Sequence, residues 1–167
     1  MPRPRNHPDG RQAAEKLART APLVSRWIER VLAAHEPPLT VAQYLALQAI
    51  AEGEVVSAEL ARRATVSPAA MSQLLAGLED AGMLTRDRLE EDRRRQPLFL
   101  TEQGRWTLRS AQTALRERLA GLLVDMPRAE TDALARLLER LEASLSGMPP
   151  PPRPPRPPHG PRRRKHT

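Results

Sequence analysis

Apolar positions recur with a helical period along most of this chain, and the clearest run lies at its centre. Met71, Leu74, Leu75 and Leu78 fall at i, i+3, i+4 and i+7, one apolar stripe of a helix. Ser67 is a favourable N-cap for that helix, and Pro68 occupies a first-turn position where a missing N–H costs nothing. Gly82 stands where the helix can end in a left-handed residue. The opposite face carries Ala69, Ser72, Gln73 and Ala76, side chains short enough to let the backbone approach another surface closely. A shorter helical pattern, Ser57 to Ala64 with Leu60 and Ala61 inward, precedes it across the tight connector Thr65-Val66. Two helices so joined suit a helix-turn-helix, whose second helix enters the major groove of DNA.

After Gly82 the periodicity changes. Met83 to Arg86 and Pro97 to Leu100 read as two short strands, and the segment between them is almost entirely charged. That describes a hairpin with a hydrophilic tip, a wing. Without Asn-Gly or Asp-Gly at the turn, the connection is expected to exceed two residues. Pro97 cannot donate to a ladder, which puts it at a strand start or on an edge.

On either side of this unit the pattern is helical. Leu17, Ala21, Val24, Ile28, Val31 and Leu32 predict a long amphipathic helix from Arg11 to about His35, ended by Pro37-Pro38. Thr40 and Gln43 form a capping-box pair, so a second helix is expected from Val41 to Glu52, with Gly53 as its stop. Thr101 can cap a further helix with Trp106, Leu108, Ala111, Leu115, Leu119, Leu122 and Leu123 on its apolar face. Pro127 interrupts it, and a last helix to Ser146 carries Leu134, Leu138, Leu141 and Leu145, the spacing of a helix–helix seam. The first and last two helices show more apolar face than a small winged domain covers, which predicts a homodimer built from the chain ends. The expected organisation is therefore mostly α. Residues 1–10 form a disordered arm, and residues 11–146 a winged helix-turn-helix domain. Within it the winged unit spans about 40–101, and dimerisation helices about 11–36 and 102–146. Residues 147–167 form a disordered Pro/Arg-rich tail.

Composition narrows the chemistry. The chain has 167 residues, no cysteine and 2% aromatic residues, which favours helices over sheet and rules out disulfides and thiol redox sensing. No apolar run approaches the length that spans a bilayer and no signal peptide begins the chain, so a cytoplasmic protein without a membrane partner is expected. The formal charge is +7, but residues 147–167 hold +6 and residues 1–11 hold +2, leaving residues 12–146 at −1. The basic character lives in the tails. The four histidines, at 7, 35, 159 and 166, show no ligand spacing, and no nucleophile elbow, phosphate loop or acid–base pair is found. Neither an enzyme nor a metal or other cofactor is expected.

Three sequence pieces together resemble one family. Leu78-Glu79-Asp80-Ala81-Gly82-Met83-Leu84, then Asp92-Arg93-Arg94, then Leu100-Thr101-Glu102-Gln103-Gly104 are similar to the signature of the MarR (multiple antibiotic resistance regulator) transcription factors. The resemblance runs in register from about Thr40 to Gly104. It implies a dimeric, mostly helical fold whose wing inserts an Arg into the minor groove. By position that residue is Arg94, with Asp92 orienting it. It also implies that a small anionic or phenolic effector binds where the dimer helices meet the winged domain. Trp27, Tyr44 and Trp106, the large aromatics outside the wing, are the candidates to line such a cleft.

The residues expected to touch double-stranded DNA follow from both readings. Ser72 and Gln73 are placed for base edges, and the helix start at Ser67, Pro68 and Ala69 for a phosphate. Arg86, Arg88, Arg93, Arg94 and Arg95 are placed for phosphates and the minor groove. From Ser67 to Thr85 there is no Lys or Arg, and Arg is common in the family where Gln73 sits, so more of the binding energy is expected from the wing. The sequence thus predicts a DNA-binding transcriptional regulator, a repressor released by a small molecule. The competing reading is a winged-helix protein-interaction module that does not read DNA, suggested by the near-neutral central region.

Overall fold

The computed structural model describes residues 8–53, 67–86 and 97–146. Its elements are α1 (Pro8–Ala33), α2 (Val41–Ala51), α3 (Pro68–Asp80), β1 (Leu84–Arg86), β2 (Leu98–Leu100), α4 (Glu102–Leu122) and α5 (Arg128–Ser146). The helix expected over Ser57 to Ala64 lies outside the described residues. The chain divides into two units after Arg128, so α5 stands by itself.

The first unit is built on local signals that act as their chemistry dictates. At α2, Thr40 Oγ1 accepts from Gln43 N–H at 3.1 Å while Gln43 Oε1 accepts from Thr40 N–H at 2.9 Å, a reciprocal capping box. At α3, Ser67 Oγ accepts from Ala70 N–H at 3.1 Å and Pro68 fills the first turn. Gly82 closes α3 at φ 68°. Its N–H bonds Glu79 O at 2.9 Å, and Met83 N–H bonds Leu78 O at 2.9 Å, the paired bonds of a Schellman end. Only a glycine takes that φ without strain.

Four helices and the hairpin enclose one core. Leu32, Leu47 and Leu75 have no exposed surface, and Met71, Leu78, Leu84, Leu98, Leu100, Leu108 and Leu115 pack around them. Each such side chain contributes about 1.5–3 kcal/mol by leaving water. The two strands pair antiparallel as Leu84↔Leu100, Thr85↔Phe99 and Arg86↔Leu98. Alternation sends Leu84, Leu98 and Leu100 inward and Phe99 outward. Pro97 sits one residue before the ladder, at the strand start its missing N–H requires. His35 ties the end of α1 to α4. Its Nδ1 lies 2.8 Å from Pro37 O, which can only accept, so Nδ1 donates; in the neutral ring Nε2 then accepts from Ser110 Oγ–H at 3.0 Å.

Three expectations change. The first helix begins at Pro8, three residues ahead of Arg11, because a proline's fixed φ suits a first helical position and the three-residue extension adds helical hydrogen bonds. The first half of α1 is exposed throughout. Leu17 and Val24 do not reach the core, and only Ile28, Val31 and Leu32 near its end pack against it. On α4, Trp106 is 53% exposed and does not share the inward face of Leu108, Ala111 and Leu115. The inward position at that level is taken by Thr107, fully buried, with Oγ1 unpartnered among the described residues. Trp106 stands one residue, about 100°, around the helix from it.

The tightest point is where α4 leaves the hairpin. A Cβ at Gly104 would overlap the backbone carbonyl of Met83. Gly104→Ala is therefore expected to destabilise the fold by about 1–3 kcal/mol or more, since neither backbone can retreat from the other. Thermal unfolding followed by circular dichroism should show a midpoint lowered by several degrees, about 2–4 °C per kcal/mol at this size.

Candidate nucleic-acid interface

Burial of one face of α3 settles what its other face presents. Met71, Leu75 and Leu78 are locked in the core, so Ala69, Ser72, Gln73, Ala76 and Gly77 face outward and are exposed. Ser67, Pro68 and Ala69 lie exposed at the helix start, where the positive end of the helix dipole favours an anion. These residues form one continuous surface of small and polar side chains, five of them the expected contacts on this helix. Its shape would let a helix lie deep in a groove, and its chemistry offers one amide and two hydroxyls for hydrogen bonding.

The far end of α3 is held by a joint that explains the Leu-Thr-x-x-Gly run. Leu100 is buried and pairs with Leu84 across the hairpin. Thr101 Oγ1 accepts from Gly104 N–H at 3.0 Å, capping α4, and donates to Gly82 O at 2.6 Å, which binds the end of α3. Thr101 N–H adds a bond to Met83 O at 3.2 Å, and Gln103 Nε2 donates to Ala81 O at 3.2 Å. Arg105 Nη1 reaches back to Leu100 O at 2.7 Å. Gly104 lets the two backbones touch. The recognition face of α3 is oriented by α4 through these bonds.

Arg86 was expected only as a DNA contact, and its place is more specific. Its Nε donates to Glu79 Oε1 at 2.8 Å, with about 30% of each side chain exposed. The acidic end of α3 is thus the anchor for the first strand of the wing, a role the sequence analysis missed. The signal was present as opposite charges flanking the turn, but nothing in the spacing says that a Schellman turn folds residue 86 back onto residue 79. Partial exposure keeps this pair near about 1 kcal/mol or below. Arg88, Asp92, Arg93, Arg94 and Arg95 lie outside the described residues. β1 ends at Arg86 and β2 begins at Leu98, so the connection is longer than two residues, as expected.

The three aromatics do not share one cleft. Trp27 is half-buried against the core and lines a depression of about 240 Å³ with Arg30, Val31, Ala34 and Arg118. A wider, more apolar depression of about 600 Å³ adjoins it, sharing Trp27 and Arg30. Trp106 lines a different hollow, of about 400 Å³, with Arg109, Ser110 and Glu117 among its neighbours. Tyr44 borders none of these and packs against the core from α2. Among the described residues no cluster of three or more His, Asp or Glu is placed to hold a metal ion, and no helix is long and apolar enough to cross a membrane.

Comparison with known proteins meets the same region. A family model described as the MarR family matches residues 38–95. The HTH-type transcriptional repressor Rv2887 of Mycobacterium tuberculosis is 34% identical over 104 residues, 62% of this chain and 75% of the relative. The chain belongs to the MarR family.

Solved MarR-family structures agree in fold. Rv2887 in complex with salicylic acid superposes with a TM-score of 0.61 at 30% identity, covering 75% of this chain and 92% of that one. Rv2887 in complex with DNA gives 0.63 at 28% identity, covering 77% and 95%. A MarR-family protein from Bacillus stearothermophilus reaches 0.71 at 22% identity, covering 84% and 98%, a likeness of fold alone.

This MarR-family chain contains a single tyrosine, which makes its packing measurable. Burial holds the Tyr44 phenol above its ordinary value of 10, an effect that Glu52 reinforces and Arg116 opposes. A raised acid pKa means the folded state binds the phenolic proton more tightly than the unfolded state. Its contribution to stability is complete below pH 10 and is lost as pH rises through the folded pKa. Absorbance titration at the phenolate band should show a midpoint above 10 in the native protein, moving down to about 10 in denaturant. A native midpoint at or below 10 would mean that Tyr44 is solvated.

Proposed function

We propose that this chain is a homodimeric repressor that binds a two-fold operator through α3 and the wing, and that a small anionic ligand releases it. The observation that carries the reading is the exposed face of α3, small and polar from Ser67 to Ala76, set on a helix whose other face is core. Support comes from the family membership and from the relative Rv2887, which is named a repressor and is known in complex with DNA and with salicylic acid.

In this reading Ser72 and Gln73 meet base edges, and Ser67, Pro68 and Ala69 approach a phosphate. Arg88, Arg93, Arg94 and Arg95 serve the wing, with Asp92 orienting Arg94. Arg86 divides its guanidinium between Glu79 and the DNA backbone. The absence of any cation between Ser67 and Thr85 makes the wing the main electrostatic contact. Of the three aromatics, Trp27 is retained for the effector, because it is firmly packed and opens on a cationic depression. The chain carries out no catalysis and works in the cytoplasm. Its winged unit of about 40–101 is flanked by dimerisation helices, and the Pro/Arg-rich segment 147–167 extends from the last of them.

Dimerisation is supported by apolar surface that this chain leaves uncovered. On α5, Leu138 and Leu145 of the seam are 53% and 60% exposed, and neighbouring Leu137 is 60% exposed. On α1, Leu17, Leu23 and Val24 are exposed as well. A second copy placed on these helices would set two α3 helices at one turn of DNA.

Two measurements test the reading. Arg94→Ala should weaken operator binding by about 1–3 kcal/mol with the helical circular dichroism unchanged, since a wing residue supports no core. Titrations with undiminished affinity would remove Arg94 from the interface. Replacing Leu138 and Leu141 together by Gln should yield monomers in sedimentation, because each buried Leu lost at an interface costs about 2–5 kcal/mol. A dimer that persists would place the interface elsewhere.

A further inference from the structure

The smaller depression at Trp27 has a composition that the larger hollows lack. Trp27, Arg30, Val31 and Ala34 follow one another at i, i+3, i+4 and i+7, so a single face of α1 forms one wall. Arg118 from α4 forms the other. The wall is firm where a ligand ring would rest, because Trp27 packs against the core and Val31 is 8% exposed. Ala34 keeps the floor low. Two guanidinium side chains border this space and no acidic side chain does. Among the described residues neither Arg30 nor Arg118 has a carboxylate partner, whereas Arg86 is paired with Glu79. The hollow at Trp106 differs on this point, since Glu117 borders it along with Arg109.

Charge, shape and size then select a ligand class. Two unpaired guanidiniums beside one another repel, and an anion between them relieves that repulsion while gaining charge-assisted hydrogen bonds. An indole face favours a flat ring stacked on it. A cavity of about 150 Å³ is enough for benzene, so about 240 Å³ takes one ring with a carboxylate and a further small group. We propose that the cleft between α1 and α4 is a binding site for a single-ring aromatic carboxylate, its charge shared by Arg30 and Arg118 and its ring held against Trp27. This rests on the reading of the chain as a ligand-released regulator, and it names the site and the ligand class.

The test uses the full chain and calorimetric titration with sodium salicylate, with benzyl alcohol as an uncharged ring of similar size. Salicylate should bind saturably, and benzyl alcohol at least tenfold more weakly. Arg30→Gln combined with Arg118→Gln should lower salicylate affinity at least tenfold while leaving helix content and unfolding midpoint unchanged, since both side chains are exposed. Arg30→Lys with Arg118→Lys, which keeps the charge and loses the planar fork, should fall between the two. Arg109→Gln, in the hollow at Trp106, should change nothing. No saturable binding, equal binding of benzyl alcohol, or full affinity in the Gln pair would each overturn the site, as would a tenfold loss in Arg109→Gln. DNA binding without salicylate, measured on the same samples, keeps the two readings apart. A wild-type chain that binds salicylate and no DNA retains the cleft and refutes the repressor.

Discussion

The contact that everything else depends on is the one between Gly104 and the carbonyl of Met83. It brings the start of α4 against the end of α3 with no side chain between them. Thr101 can then cap α4 and hold Gly82 O with the same hydroxyl, and Gln103 can reach Ala81 O. With the Schellman end of α3 at Gly82, the two helices and the hairpin between them become one rigid corner. A surface that reads DNA must keep its register to within an ångström or so, and this corner is what keeps it. The family-like run Leu-Thr-x-x-Gly is thus a mechanical specification: a buried strand end, a double-duty hydroxyl and a missing Cβ.

Charge is distributed around this corner rather than on it. The exposed face of α3 is neutral, and its acidic end is partnered by Arg86 at the base of the wing. Glu79 therefore acts as part of the scaffold, and its negative charge is offset where the wing begins. Non-specific attraction to phosphate must come from the basic stretches beyond residues 12–146, which carry the whole of the net positive charge. The division is physically sensible, because base readout needs close fit and little charge, whereas phosphate attraction needs charge and little geometry.

The helices at the chain ends carry the opposite imbalance. The first half of α1 and the leucines of α5 expose apolar surface that a lone chain gains nothing by exposing. The winged unit is complete without them, with its core closed by α2, α3, the hairpin and the middle of α4. The same end of α1 that leaves the core carries Trp27 and Arg30, so the proposed ligand cleft lies where the self-contained unit gives way to helices that need a partner.

Local chemistry was enough to read most of the fold from the residues alone. The capping box at Thr40, the cap at Ser67, the left-handed end at Gly82, the cap at Thr101 and the inward stripe of α3 all depend on neighbours within a turn or so of helix, and all stand as expected. The outward face of α3 followed from that stripe. What the sequence left open involved residues far apart in the chain. Trp106 looked like core because it is apolar at helical spacing, yet the position facing inward belongs to Thr107, since only packing against α2 decides which side of α4 is the inside. The Arg86–Glu79 pair needed the turn geometry, and the separation of Trp27 from Tyr44 and Trp106 needed the angles between helices. Arg118 meets Trp27 only because α4 runs back along α1, 91 residues further along the chain. A periodic pattern states that a helix has an inner face, but the direction of that face and the company it keeps are set by the packed core.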